Sequence, residues 1–240
     1  MEGSSLSSDE FSDWTSGKVI PFLSVMTRIP DLEHDALLRD YGGTGFPYLI
    51  YMDADGNKLG KPSGRDMDSL VAGGTAAKEL IALREKVANG ADDLVVDLLL
   101  AELQADAVDF QVAKNRRATL QVPRKGARAW KSKIEEIDSL LVGLEINSLL
   151  RSARGGPDAK AAAQARLYEM ASNDLLPTKF NRSFWAAVMA EAKERKDLEM
   201  FERGYSLHLD FYGENNPRAK RMLDPMKADL DELRRTASSQ

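Results

Sequence analysis

The sequence predicts an α/β module followed by an all-α domain, and three observations carry that reading. Two apolar runs rich in β-branched and aromatic residues, Val19–Ile29 and Tyr48–Met52, both precede Gly64. From Met67 onward apolar residues recur at intervals of three and four, the repeat of a helix buried on one face. After Asn89-Gly90 no convincing strand remains. The chain has 240 residues, 43% hydrophobic and 30% charged, which is the composition of a folded protein and room for one large domain or two ordinary ones.

Taken in order, residues 1–17 are Ser-rich and acidic and read as a tail or a remnant helix, with Phe11 and Trp14 forming its apolar edge. Val19–Ile29 follows as a strand, with Pro21 placing its start at an edge. Asp31 caps a short helix carrying Leu32, Leu37 and Leu38 on one face. Pro47 leads into the strand Tyr48–Met52, Asp53–Asn57 forms a turn around Gly56, and Lys58-Leu59 begins a second, antiparallel strand. A helix then runs from Met67 to about Val87, and Asn89-Gly90 stops it.

Beyond that stop, one apolar set is Leu94, Val95, Leu98, Leu99 and Leu103, and another is Ile134, Ile137, Leu140, Leu141, Leu144 and Leu149. Breaks fall at Gln121–Gly126, Gly155–Pro157, Leu176-Pro177, Gly213–Pro217 and Asp224-Pro225. They divide the region into antiparallel helix pairs. The expected organisation is therefore a tail (1–17), an α/β module (18–88) and a helical domain (89–240).

Residues 38–64 carry a resemblance. Tyr41, the step Gly45-Phe46-Pro47, the Asp53–Gly56 turn and the closing Gly64 resemble the C-terminal half of the thioredoxin fold. The resemblance implies a partial thioredoxin-like sandwich over residues 18–88, with a strand at 19–29, a helix at 32–41, a proline loop at 45–47, a hairpin at 48–64 and a final helix at 67–87. It further implies a cis Phe46-Pro47 bond and a loop, Gly45–Tyr48, whose backbone pairs with an extended polypeptide. The family's activity needs a thiolate, and this chain contains no cysteine. The expectation is a protein-binding or scaffold module with no catalytic residue and no cofactor. The alternative is the back half of a thiol–disulfide oxidoreductase whose Cys-x-x-Cys lies upstream of Met1.

Further along, Phe184–Glu194 and Leu198–Phe211, split by Lys196-Asp197, resemble a tetratricopeptide hairpin, although no fixed period of about 34 residues fits the whole region. This makes the helical domain hairpin-like or repeat-like.

Other chemistry is weakly represented. Gly42–Gly45 lacks the Lys-Ser/Thr of a phosphate loop. Asp53–Asn57 begins like a calcium loop, but the glycine comes too early and Gly64 stands where a bidentate Glu belongs. The two histidines, His34 and His208, make no metal-ligand pattern. Lys114, Arg116, Arg117, Arg124, Lys125, Arg128, Lys131 and Lys133 form a basic stretch around Trp130, read as a solvated face that pairs with acidic helices. The aromatics Phe184, Trp185, Phe201, Tyr205, Phe211 and Tyr212 read as a core between paired helices.

The net charge of −5 argues against a nucleic-acid partner, and no apolar run reaches the ~18–20 residues that span a bilayer. The expected partner is a protein or peptide, or a second copy joined through the exposed sheet edge. Residues 1–17 lack the pattern of a signal peptide, which makes the cytoplasm the default compartment.

Overall fold

The computed structural model describes residues 5–23, 36–43, 45–120, 127–213 and 216–238. It is mostly helical and divides into two compact units, residues 1–137 and 138–240, with the boundary inside one long helix.

In the first unit, α1 (Asp9–Thr15) is followed by the short α2 (Leu37–Asp40), the strands β1 (Tyr51–Met52) and β2 (Lys58–Gly60), and the long α3 (Met67–Ala88). After these come α4 (Val95–Gln104), α5 (Phe110–Thr119) and the first part of α6 (Ala127–Ser152). The strands pair antiparallel, with Tyr51 opposite Gly60 and Met52 opposite Lys58, and an irregularity between the two pairs. Asp66 starts α3 by accepting a hydrogen bond from the Ser69 backbone N–H at 2.9 Å.

The hairpin is seated on α3. Leu59 packs with Ala77 and Leu80, and Ile81, Leu98 and Ala101 close over them. The Tyr51 hydroxyl donates to the Leu70 carbonyl at 2.6 Å. A Cβ on Gly73 would lie 2.7 Å from the Tyr51 ring, and one on Gly74 would lie 2.8 Å from the Trp14 ring. Two aromatic rings thus reach the α3 backbone because both positions are glycine.

The second unit contains the remainder of α6, then α7 (Pro157–Ser172), α8 (Arg182–Arg195), α9 (Leu198–Tyr212) and α10 (Pro217–Ala237), each packed against the next from α7 onward. Its core joins Ile146, Leu167, Met170, Phe184, Trp185 and Val188. A second cluster joins Met189, Ala192, Phe201, Leu230 and Leu233. Asn181 and Asp197 cap α8 and α9. Lys196, in the left-handed conformation, turns the chain between them.

Several expectations are corrected. Among the described residues the sheet has two strands, so the helical region is established and a sandwich is not. Val19–Leu23 does not form strand, and its Ile20 (91%), Phe22 (68%) and Leu23 (71%) are exposed, because high β-propensity makes a strand only where a partner strand supplies hydrogen bonds. The rest of that run and residues 31–35, with His34, lie outside the described residues. Tyr48–Ile50 precedes β1 without strand pairing, since the three-residue β2 matches only Tyr51 and Met52.

The contacts do not divide the chain at residue 88. α3 packs on α4, so the first unit continues to Ile137. α10 passes through Asp224-Pro225 unbroken. Pro225 is on the exposed side, where the carbonyl it deprives of a partner faces water.

Candidate functional site

The loop Gly45-Phe46-Pro47-Tyr48 is built from local polar ties. The Tyr48 hydroxyl donates to the Tyr41 carbonyl at 2.7 Å, and the Tyr41 hydroxyl donates to the Gly56 carbonyl at 2.7 Å. These bonds tie the end of α2, the loop and the hairpin turn together. Gly43 admits the approach: a Cβ there would stand 2.2 Å from the Leu38 side chain and 2.9 Å from the Tyr48 ring. The Phe46-Pro47 bond is cis. Gly45 and Phe46 face solvent, with Phe46 67% exposed, whereas Pro47 and Tyr48 are half-buried.

The hairpin turn is closed by Asp53. Its carboxylate accepts from the backbone N–H groups of Asp55 (3.1 Å) and Asn57 (2.8 Å) and from the Asn57 amide (3.0 Å). Burial pushes this carboxyl up, and the Asn57 and Asp55 donors with the Arg84 charge outweigh it and hold the group below the usual carboxylate range. The turn uses its acid on itself. Among the described residues no group of three or more His, Asp or Glu is placed to hold a metal ion.

Beside the turn, an open cleft of about 970 Å³ runs between the hairpin turn, α3, α4 and α5, with Trp130 of α6 on its wall. Its charged floor is Glu102, only 3% exposed. One carboxylate oxygen accepts from Arg84 Nε at 3.0 Å and the other from Arg116 at 2.5 Å. Arg84 also approaches Asp53 at 3.6 Å. With both Glu102 oxygens taken by guanidinium groups, this carboxylate is a structural anchor for α3, α4 and α5. No expectation drawn from the sequence singled it out. Its signal was a Glu among the apolar residues on the Val95–Leu99 face of α4, a position that calls for buried cationic partners.

The basic stretch is largely spent on such pairing. Arg116 holds Glu102, Lys133 contacts Asp97 at 2.5 Å, Lys131 lies 3.8 Å from Glu135, and Lys114 sits over the Phe110 ring. Arg124 and Lys125 lie outside the described residues, as does the side chain of Arg128. The aromatic set divides. Phe184, Trp185 and Phe201 are buried, Tyr205 and Tyr212 are half-buried, and Phe211 is 61% exposed. His208 is fully buried. Among the described residues no helix is long and apolar enough to cross a membrane.

The chain matches no family model, no curated protein and no solved structure.

Proposed function

We propose that this chain is a non-catalytic, thioredoxin-like protein-binding module that holds an extended apolar segment of a partner against the Gly45–Tyr48 loop. The observation that carries the reading is Phe46, a large ring 67% exposed on a loop anchored by the Tyr48–Tyr41–Gly56 hydrogen bonds. An exposed aromatic on an ordered loop has already lost much of the conformational freedom that binding would otherwise cost. Buried aromatic anchors also dominate the energy of peptide interfaces. The order of α2, proline loop, hairpin and α3 supports the thioredoxin-like reading. With no cysteine in the chain, its contribution to a partner is contact rather than thiol exchange.

The test is fluorescence anisotropy with a panel of extended apolar peptides, comparing the full chain with Phe46→Ala and Tyr48→Phe. Phe46→Ala should weaken the best peptide by at least about tenfold. Tyr48→Phe, which frees the loop from the Tyr41 carbonyl, should weaken it less. Equal binding by Phe46→Ala and the unaltered chain would place any peptide site elsewhere, and absence of binding throughout the panel would end the proposal.

A further inference from the structure

His208 lies on α9 with none of its surface exposed. Its Nδ1 is 2.8 Å from the Gly204 carbonyl oxygen one turn earlier. A carbonyl only accepts, so Nδ1 carries the ring proton and Nε2 is a bare lone pair. That Nε2 is buried and has no hydrogen-bond partner. Phe180 meets the ring edge-on at 5.1 Å, and Tyr212 lies alongside it at 6.4 Å. Phe180 in turn stacks on Phe211 at 4.5 Å, and Phe211 meets Tyr212 edge-on at 4.9 Å. These rings form a latch between the segment leading into α8 and the last turn of α9.

A proton on Nε2 has nowhere to go within this closed arrangement. The new N–H would point among aromatic carbons with no acceptor, and a buried unpaired charge costs several kcal/mol. The groups around the ring offer no compensation among the described residues. The segment before α8 gives Phe180, α8 gives the cation Arg182, α9 gives the Tyr212 phenol and the carbonyl already engaged, and no charge of α10, which packs on α9, is among those acting on the ring. We infer that protonation of His208 opens the Phe180–Phe211–Tyr212 latch, so that the α8–α9 hairpin is an acid-sensitive switch that uncovers aromatic surface at the end of α9.

The direction of the pH dependence follows from the same contacts. Burial, aided by the Arg182 charge, pulls the His208 imidazole below the ordinary histidine range against the Gly204 hydrogen bond. Above about pH 6.5 the ring is neutral in closed and open forms alike, and the latch is insensitive to pH. As pH falls through that value the open form takes the proton first, and the closed form loses up to about tenfold in relative population per pH unit. The loss ends once the closed form protonates too.

The test follows the full chain from pH 7.5 to 5.0 by the fluorescence of a dye that binds exposed apolar surface and by the histidine and aromatic proton resonances. His34→Gln assigns the two histidine signals. Dye fluorescence should rise several-fold below about pH 6.5 in the unaltered chain and in His34→Gln, with the Phe180 and Tyr212 resonances shifting along the His208 titration. His208→Phe, which keeps an aromatic ring and has no proton to take up, should stay flat. If that variant fails to fold, the coupled shifts in the unaltered chain decide the matter alone. A rise in His208→Phe with the same midpoint would overturn the switch. So would a His208 titration that leaves the Phe180 and Tyr212 signals in place, or a latch still closed at pH 5.0.

Discussion

The two units solve the problem of burying apolar surface by different means. In the second unit, α7 to α10 each pack against their chain neighbour, and Phe184, Trp185 and Phe201 fill the space between them. In the first unit a two-stranded hairpin leans on one helix through Tyr51 and Leu59, while a buried carboxylate with two arginines ties three helices together. The first unit also leaves Ile20, Phe22, Leu23 and Phe46 in water. Helices satisfy their own backbone and need neighbours only for side chains, whereas a strand needs a neighbour for both. Among the described residues, the unit containing the sheet therefore leaves more large apolar side chains exposed than the helical unit, where Leu175 and Phe211 are the exposed ones.

The comparison can be broken most decisively at Phe184. Phe184→Ala should destabilise the second unit by about 3–5 kcal/mol, the usual consequence of emptying a buried aromatic site. Hydrogen–deuterium exchange should accelerate through α7 and α8 and remain unchanged in α3 and α4. Acceleration in both units alike would show that they unfold as one.

Glu102→Gln should cost about 1.5–3 kcal/mol, since it removes the charge from hydrogen bonds to Arg84 and Arg116. The change should be confined to exchange in α3, α4 and α5. An unaltered exchange pattern would mean that the hairpin seat, rather than the ion cluster, holds the first unit.

A smaller effect belongs to Asp197, which accepts from the Met200 backbone N–H at 3.0 Å and from the Tyr168 hydroxyl. Asp197→Ala should lower the second unit's stability by about 1–2 kcal/mol in denaturant unfolding. At the far end of the scale, Phe46→Ala should leave stability within about 0.5 kcal/mol, because the ring it removes is mostly in water. A larger loss would recast Phe46 as part of the core.

The helical region was legible in the sequence because its signals are local. Apolar spacing predicted the helices, and Gly155–Pro157 and Lys196-Asp197 marked where they end. Pro225 misled because a proline signals a break regardless of whether its side of the helix faces water. The Val19–Leu23 run misled for the opposite reason: its composition was that of a strand, but pairing depends on a partner that composition does not name. The loop at Gly45–Tyr48 was found from its motif. The Glu102 cluster was not, since Arg84 and Arg116 are brought to it by the packing of α3 and α5 around α4 rather than by any spacing along the chain.

The connection between α8 and α9 is only Lys196 and Asp197, the first residue turning the chain and the second capping the next helix. So short a link fixes the rotational phase of α9. One residue added to it would advance the helix by about 100° about its axis. Phe201 and His208, seven apart and both buried, would swing away from the core together, and Arg203 would take the buried place of Gly204, where even a Cβ would lie 2.5 Å from the Met189 side chain. The hairpin should therefore tolerate changes of side chain in this turn far better than changes of length.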